Sequence, residues 1–226
     1  MPIVVQQDLR RLLGPARDQG QRPTCLAFAA SDAHAALRAP PAPLSAEFAF
    51  YHAQRRAGLP PTSGAALKHM LAALKGDGQP AEAEWPYLDA LPDNLDDYGP
   101  PEGVTVFRCD GKARQGSIDE IVRQLDAGCP VLVLLMLSDA FYMPDIGGVV
   151  TARSGEAPDP QRRHAVVAIG HGTSAGKRAI LVRNSWGLGW GLAGHAWLTE
   201  AFITPRLTCV ALLTEEIHVP AQTLAA

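Results

Sequence analysis

Near residue 130 the periodicity of apolar residues changes character, and that change restricts the fold more than any other feature of the chain. Before it, an alanine-rich run from Cys25 to Leu37 stops at Pro40-Pro41, and helical patterns follow over Ser45 to Ala57 and Gly64 to Lys75, separated by Gly58-Leu59-Pro60-Pro61. Helical spacing bounded by proline and glycine predicts three helices. Thr24 is the predicted N-cap of the first, which places Cys25 in its opening turn. Residues 81–103, rich in Pro, Asp and Gly, read as irregular connection, and Ser117 to Ala127 as a fourth helix with Ser117 capping and Glu120 at capping-box distance. After it, Val131 to Leu137, Ala165 to Gly170, Ala179 to Arg183 and His195 to Thr199 are short β-rich runs punctuated by Gly, Pro and Asn, as in an antiparallel sheet or barrel. The expectation is an α+β fold: a single domain over residues 1–226, with a helical half at about 9–115, a β-rich half at about 116–226 and a cleft between them. No internal repeat or low-complexity tract is evident.

Composition narrows the function classes. The chain has 226 residues, 47% of them hydrophobic, enough to bury one sizeable core. A net charge of -3, from 20 basic and 23 acidic residues without runs of like charge, offers no electrostatic footprint for nucleic acid or an anionic membrane. The longest apolar stretch, Pro130 to Leu137, is far short of the roughly 20 residues of a membrane-spanning helix. No secretory signal is visible at Met1 to Asp8, so a cytoplasmic location is expected. Four cysteines, Cys25, Cys109, Cys129 and Cys209, are scattered without Cys-x-x-Cys or a Cys/His cluster. Free thiols are therefore expected, with no metal and no cofactor.

Thiol-dependent hydrolysis needs a thiolate, an adjacent base, an orienting acceptor for that base and donors for an oxyanion. Cys25 at a helix N-terminus would feel the positive end of the macrodipole and unpaired N–H groups, which lower a thiol pKa well below about 8.5. Taken alone, it reads more readily as a small core residue, since free cysteines are among the most buried residues. The segments around it decide between these readings. Asp18-Gln19-Gly20-Gln21-Arg22-Pro23-Thr24-Cys25 leads into the helix; His164-Ala165-Val166-Val167-Ala168-Ile169-Gly170-His171-Gly172 forms an H-A-V-x-x-x-G-x-G pattern; and Arg183-Asn184-Ser185-Trp186-Gly187-Leu188-Gly189-Trp190-Gly191 follows.

These three segments, in this order, resemble the papain-like cysteine peptidases. The resemblance implies Cys25 as nucleophile, His164 as its base, Asn184 as the residue orienting the base, Trp186 as a shield over that pair and Gln19 as an oxyanion donor. Leu44-Ser45, Trp85-Pro86-Tyr87, Tyr142 and Gly147-Gly148 add weaker support. Ser63 and Gly64 fall where the family hydrogen-bonds substrate backbone. Peptides or proteins are the implied substrates. No prosegment is visible ahead of Gln19, so a regulatory protein partner, a narrow cleft or a dedicated substrate would have to restrain the enzyme.

Three departures stand out. Leu26 replaces the tryptophan that follows papain's nucleophile; Arg22 replaces a disulfide cysteine three residues before it; and Arg163 precedes the base where papain has aspartate, a cation expected to disfavour imidazolium. Two alternatives use the same scaffold: a catalytically inactive protein that binds peptides or a partner, and a transpeptidase or acyltransferase using the same triad.

Overall fold

A computed structural model describes residues 2–38 and 40–217. Among these residues the helices are α1 (Cys25–Ala35), α2 (Ala46–Ala57), α3 (Leu67–Gly76), α4 (Ile118–Asp126) and α5 (Glu200–Ile203). Helix α1 is buried from Leu26 through Ala35, so it shows no polar face, as expected of a helix packed on all sides. It lies against the sheet strands Val131–Met136 and Arg163–Ser174 and against α2 and α3. Alanines at 27, 29, 30 and 33 let those neighbours approach its backbone, and Phe28 anchors it; truncation of such a buried ring costs about 3–5 kcal/mol. Ser45 and Ser117 cap α2 and α4 by accepting from Phe48 N–H and Glu120 N–H. Thr24 departs from the expectation. It stands at the N-cap position of α1 without capping, because its hydroxyl is paired with that of Tyr87 at 2.9 Å.

The strands are β1 (Val4–Asp8), β2 (Arg108–Gln115), β3 (Val131–Met136), β4 (Val149–Val150), β5 (Arg163–Ser174), β6 (Lys177–Arg183), β7 (His195–Thr199) and β8 (Leu207–Ile217). Their order is β2-β8-β3-β5-β6-β7-β4, with β1 added alongside β5. The sheet is an open path and not a closed barrel, and its β4–β7 pair is parallel while the other pairs are antiparallel. One strand falls within the part of the chain read as helical, β2, which pairs with β8, and β1, just ahead of that part, pairs with β5. Long β5 serves two partners in succession, β3 along residues 163–168 and β1 along residues 170–173. A Cβ on Gly170 would stand 2.5 Å from the Gln7 carbonyl oxygen, and one on Gly172 would stand 2.4 Å from that of Val4. The glycines of the H-A-V-x-x-x-G-x-G pattern thus admit β1 at close range.

Residues 81–103 are irregular in trace, as expected, yet they are packed. Trp85 and Tyr98 join Phe48 of α2 in a second small core, with Trp85 edge-on to Phe48 and to Tyr51. No described helix is long and apolar enough to cross a membrane.

Candidate active site

A cleft of about 790 Å³ runs between the start of α1 and the β3–β5 pair, and Gln19, Cys25, Gly64, His164 and Trp186 all line it. Five of the seven residues singled out in the sequence therefore meet at one site. Asn184 lies behind His164, buried. Ser63 does not line the cleft; its carbonyl accepts from the Gln54 side chain at 2.7 Å, which leaves Gly64 as the one of the two that does.

On the sheet side, His164 Nε2 and Asn184 Oδ1 are 2.7 Å apart. Asn184 Oδ1 also accepts from Ser185 N–H at 2.9 Å, so it is the oxygen and not the amide nitrogen that faces the ring. Nε2 must then be the donor, and the neutral imidazole keeps its acceptor lone pair on Nδ1. Asn184 Nδ2 is buried without a partner. Trp186 lies over the ring at 4.8 Å, Phe141 meets its edge at 5.6 Å, and Tyr142 stacks on the outer face of Trp186.

On the helix side, Gln19 bridges both halves. Its N–H donates to Ser185 O at 2.8 Å, its Oε1 accepts from the Ser185 hydroxyl at 2.7 Å, and its Nε2 donates to Arg22 O at 2.8 Å. One Nε2 proton is left for a ligand.

Electrostatics revises the expectation for the thiol. Burial pushes the Cys25 thiol up, against the opposing pull of backbone N–H groups led by that of Ala165. Burial also pushes His164 down to about 4, against the raising effect of the Asn184 bond. Both directions favour an uncharged pair. Proton transfer from Cys25 to His164 then requires their mutual attraction and the helix N-terminus to offset desolvation. Arg163, expected to disfavour imidazolium, is exposed and turned to the Pro160 carbonyl; desolvation accounts for the shift instead.

Sequence reasoning did not find two braces. Arg22, buried, donates to both carboxylate oxygens of fully buried Glu47 at 2.6 and 2.8 Å and to Leu88 O at 2.7 Å; Tyr98 also donates to Glu47. Burial alone would lower the Arg22 pKa, but the Glu47 contact holds it raised. The second brace joins the halves. Arg183, next to Asn184, donates to Asp32 of α1 at 2.6 Å and to the carbonyls of Gly14 and Pro15, while Arg17 holds the other Asp32 oxygen at 2.8 Å. The available signal was an aspartate inside an alanine-rich helix, since a buried charge needs a partner.

A model described as papain family cysteine protease matches residues 62–204, a span that begins after Cys25. Papaya proteinase 4 of Carica papaya is 38% identical over 72 residues, 32% of this chain and 20% of that protein. Oryzain gamma chain of Oryza sativa subsp. japonica is 26% identical over 195 residues, 81% of this chain and 51% of that protein. The chain thus spans about a fifth to a half of the length of these relatives. Among solved structures, xylellain, a cysteine protease from Xylella fastidiosa, superposes with a TM-score of 0.74 at 20% identity, covering 95% of this chain and 87% of that one. The proform of cathepsin B S9 from Trypanosoma congolense gives 0.75 at 14% identity, with 96% and 79% covered.

Proposed function

This chain belongs to the papain family of cysteine proteases, and from that premise we propose that it hydrolyses peptide bonds of peptides or proteins through an acyl-enzyme on Cys25. The observation that carries the reading is the His164–Asn184 bond of 2.7 Å, which leaves Nδ1 as the free basic nitrogen in the cleft that Cys25 also lines. In the proposed sequence His164 Nδ1 takes the thiol proton as sulfur attacks the scissile carbonyl. Burial opposes this charge separation, while the helix N-terminus and the mutual attraction of thiolate and imidazolium favour it. The Cys25 N–H, free of helix acceptors at its first-turn position, and the second Nε2 proton of Gln19 receive the oxyanion. His164 then protonates the leaving amine, and water attacks the acyl-enzyme with His164 as base. Trp186 and Phe141 keep bulk water from the His164–Asn184 bond. The single-domain reading is supported by the Arg183–Asp32 brace between the halves, and a reducing, cytoplasmic setting suits four free thiols.

The test is acyl-enzyme trapping. A slowly deacylating peptide ester should add its acyl mass to Cys25 and to no other cysteine, and Cys25→Ala should abolish both adduct and turnover. Gln19→Ala should lower kcat by about 10²–10³. Binding without any adduct would favour the inactive reading, and transfer of the acyl group to an added amine in preference to water would favour the acyltransferase.

A further inference from the structure

The cleft has an asymmetric charge. Among the described residues lining it there is no aspartate or glutamate, and its two permanent cations are Arg162 and Arg163. Arg162 is already neutralised, by Asp139 at 2.5 Å and Asp159 at 3.1 Å. Arg163 has only a 3.2 Å bond from Nε to the Pro160 carbonyl and no carboxylate partner among the described residues. Its two terminal NH₂ groups are therefore left for a ligand, in the fork geometry that suits a carboxylate.

Register determines what lies beside that guanidinium. In the β3–β5 pairing Met136 faces Arg163 and Leu134 faces Ala165; partners two residues apart on a strand share one face of the sheet. Leu134, Met136 and Ala165, with Leu67 across the cleft, thus make an aliphatic surface with the cation at one end. Thr208 also lines the cleft, but its hydroxyl is already donated to the Leu134 carbonyl at 2.9 Å. A ligand group matching this surface is an aliphatic stem ending in a carboxylate.

We infer that Arg163 is a specificity-determining residue that selects peptides placing a carboxylate at the Leu134–Met136–Ala165 side of the cleft. This rests on the peptidase reading of the same cleft. Two sources share the chemistry: an acidic side chain, glutamate above all, and the free C-terminus of a short peptide. An exposed charge-assisted contact of this kind is worth about tenfold in selectivity, weakening as salt screens it.

The test is a peptide panel in which Glu replaces Gln at each position around the scissile bond, each peptide made with a free and with an amidated C-terminus. Expected is a Glu-over-Gln or free-over-amidated ratio in kcat/KM of about tenfold at low salt. The arm in which it occurs identifies the source. The ratio should fall toward one in Arg163→Gln, persist in part in Arg163→Lys and invert in Arg163→Glu. No carboxylate preference in either arm, or one that survives Arg163→Gln, overturns the inference. A separate readout keeps it apart from the peptidase reading: Kd of fluorescent acidic and neutral peptides for Cys25→Ala, with and without Arg163→Gln. If wild type cleaves nothing while Cys25→Ala holds acidic peptides in an Arg163-dependent way, peptide hydrolysis fails and the carboxylate site stands.

Discussion

The two walls of the cleft hold their reactive groups by different means. The Gln19–Cys25 loop is held by charge and hydrogen bonds: Arg22 on buried Glu47, its guanidinium near the rings of Tyr87 and Phe50, and the Tyr87 hydroxyl donating to Gln19 O at 2.7 Å. The His164–Asn184 wall is held by strand register and by a cage of Phe141, Trp186 and Trp190 around one hydrogen bond. Directional polar bracing fixes a loop that has no ladder of its own, but losing one partner strands a charge in a dry interior. Aromatic packing is tolerant of direction and sensitive to volume. The helix wall should therefore fail through charge, and the sheet wall through cavities and through protonation of its one titratable group.

The sharpest way to break this comparison is Arg22→Met. It leaves Glu47 buried and uncompensated, with an expected loss of about 3–5 kcal/mol in urea denaturation. The double variant Arg22→Met with Glu47→Gln should recover much of that loss, since the neutral amide removes the stranded charge and its one oxygen can still accept from either Leu88 N–H or Tyr98. Equal losses in single and double variants would mean that lost packing, and not a stranded charge, weakens the helix wall.

Acid titration probes the other wall. Burial holds His164 near 4 and also lowers His52 and His195, so between that value and about 6.5 the unfolded chain binds more protons than the folded one. Stability should be complete above pH 6.5 and decline as pH falls toward 4, with His164 contributing on the order of 2–3 kcal/mol. In His164→Gln the slope over this window should shrink, whereas Arg22→Met should leave it in place. A slope unchanged in His164→Gln would assign the acid sensitivity to other groups.

The smallest effect is expected at Trp186, which is half-buried. Trp186→Ala should cost about 1–2 kcal/mol, below the range for a fully buried ring, and should weaken turnover through water reaching the His164–Asn184 bond, while Trp186→Phe retains most of both. Stability and kcat measured on the pair separate packing from shielding. A loss matching that of Arg22→Met would erase the distinction between the walls.

Local pattern carried much of this architecture. The start of α2 near Ser45, the cap at Ser117, the apolar run of β3 and the two later strands β6 and β7 depend on neighbours in sequence, and they stand within a residue or two of their expected places. The segments around Cys25, His164 and Asn184 could be recognised because catalysis demands particular residue types at particular spacings. What the sequence left unread depended on partners far along the chain. Strand β2, Arg-Cys-Asp-Gly-Lys-Ala-Arg-Gln, lacks clean alternation of apolar residues and is a strand because β8 pairs with it. Thr24 does not cap because Tyr87, 63 residues away, engages its hydroxyl. The thiol rises instead of falling because a pKa sums desolvation from every element packed around it, and a helix N-terminus is only one contribution to that sum. The chain itself determines residue types and short-range periodicity; burial and the pairing of Arg22 with Glu47 and of Arg183 with Asp32 exist only once the elements are docked, because desolvation and ion pairing act between groups that folding alone brings together.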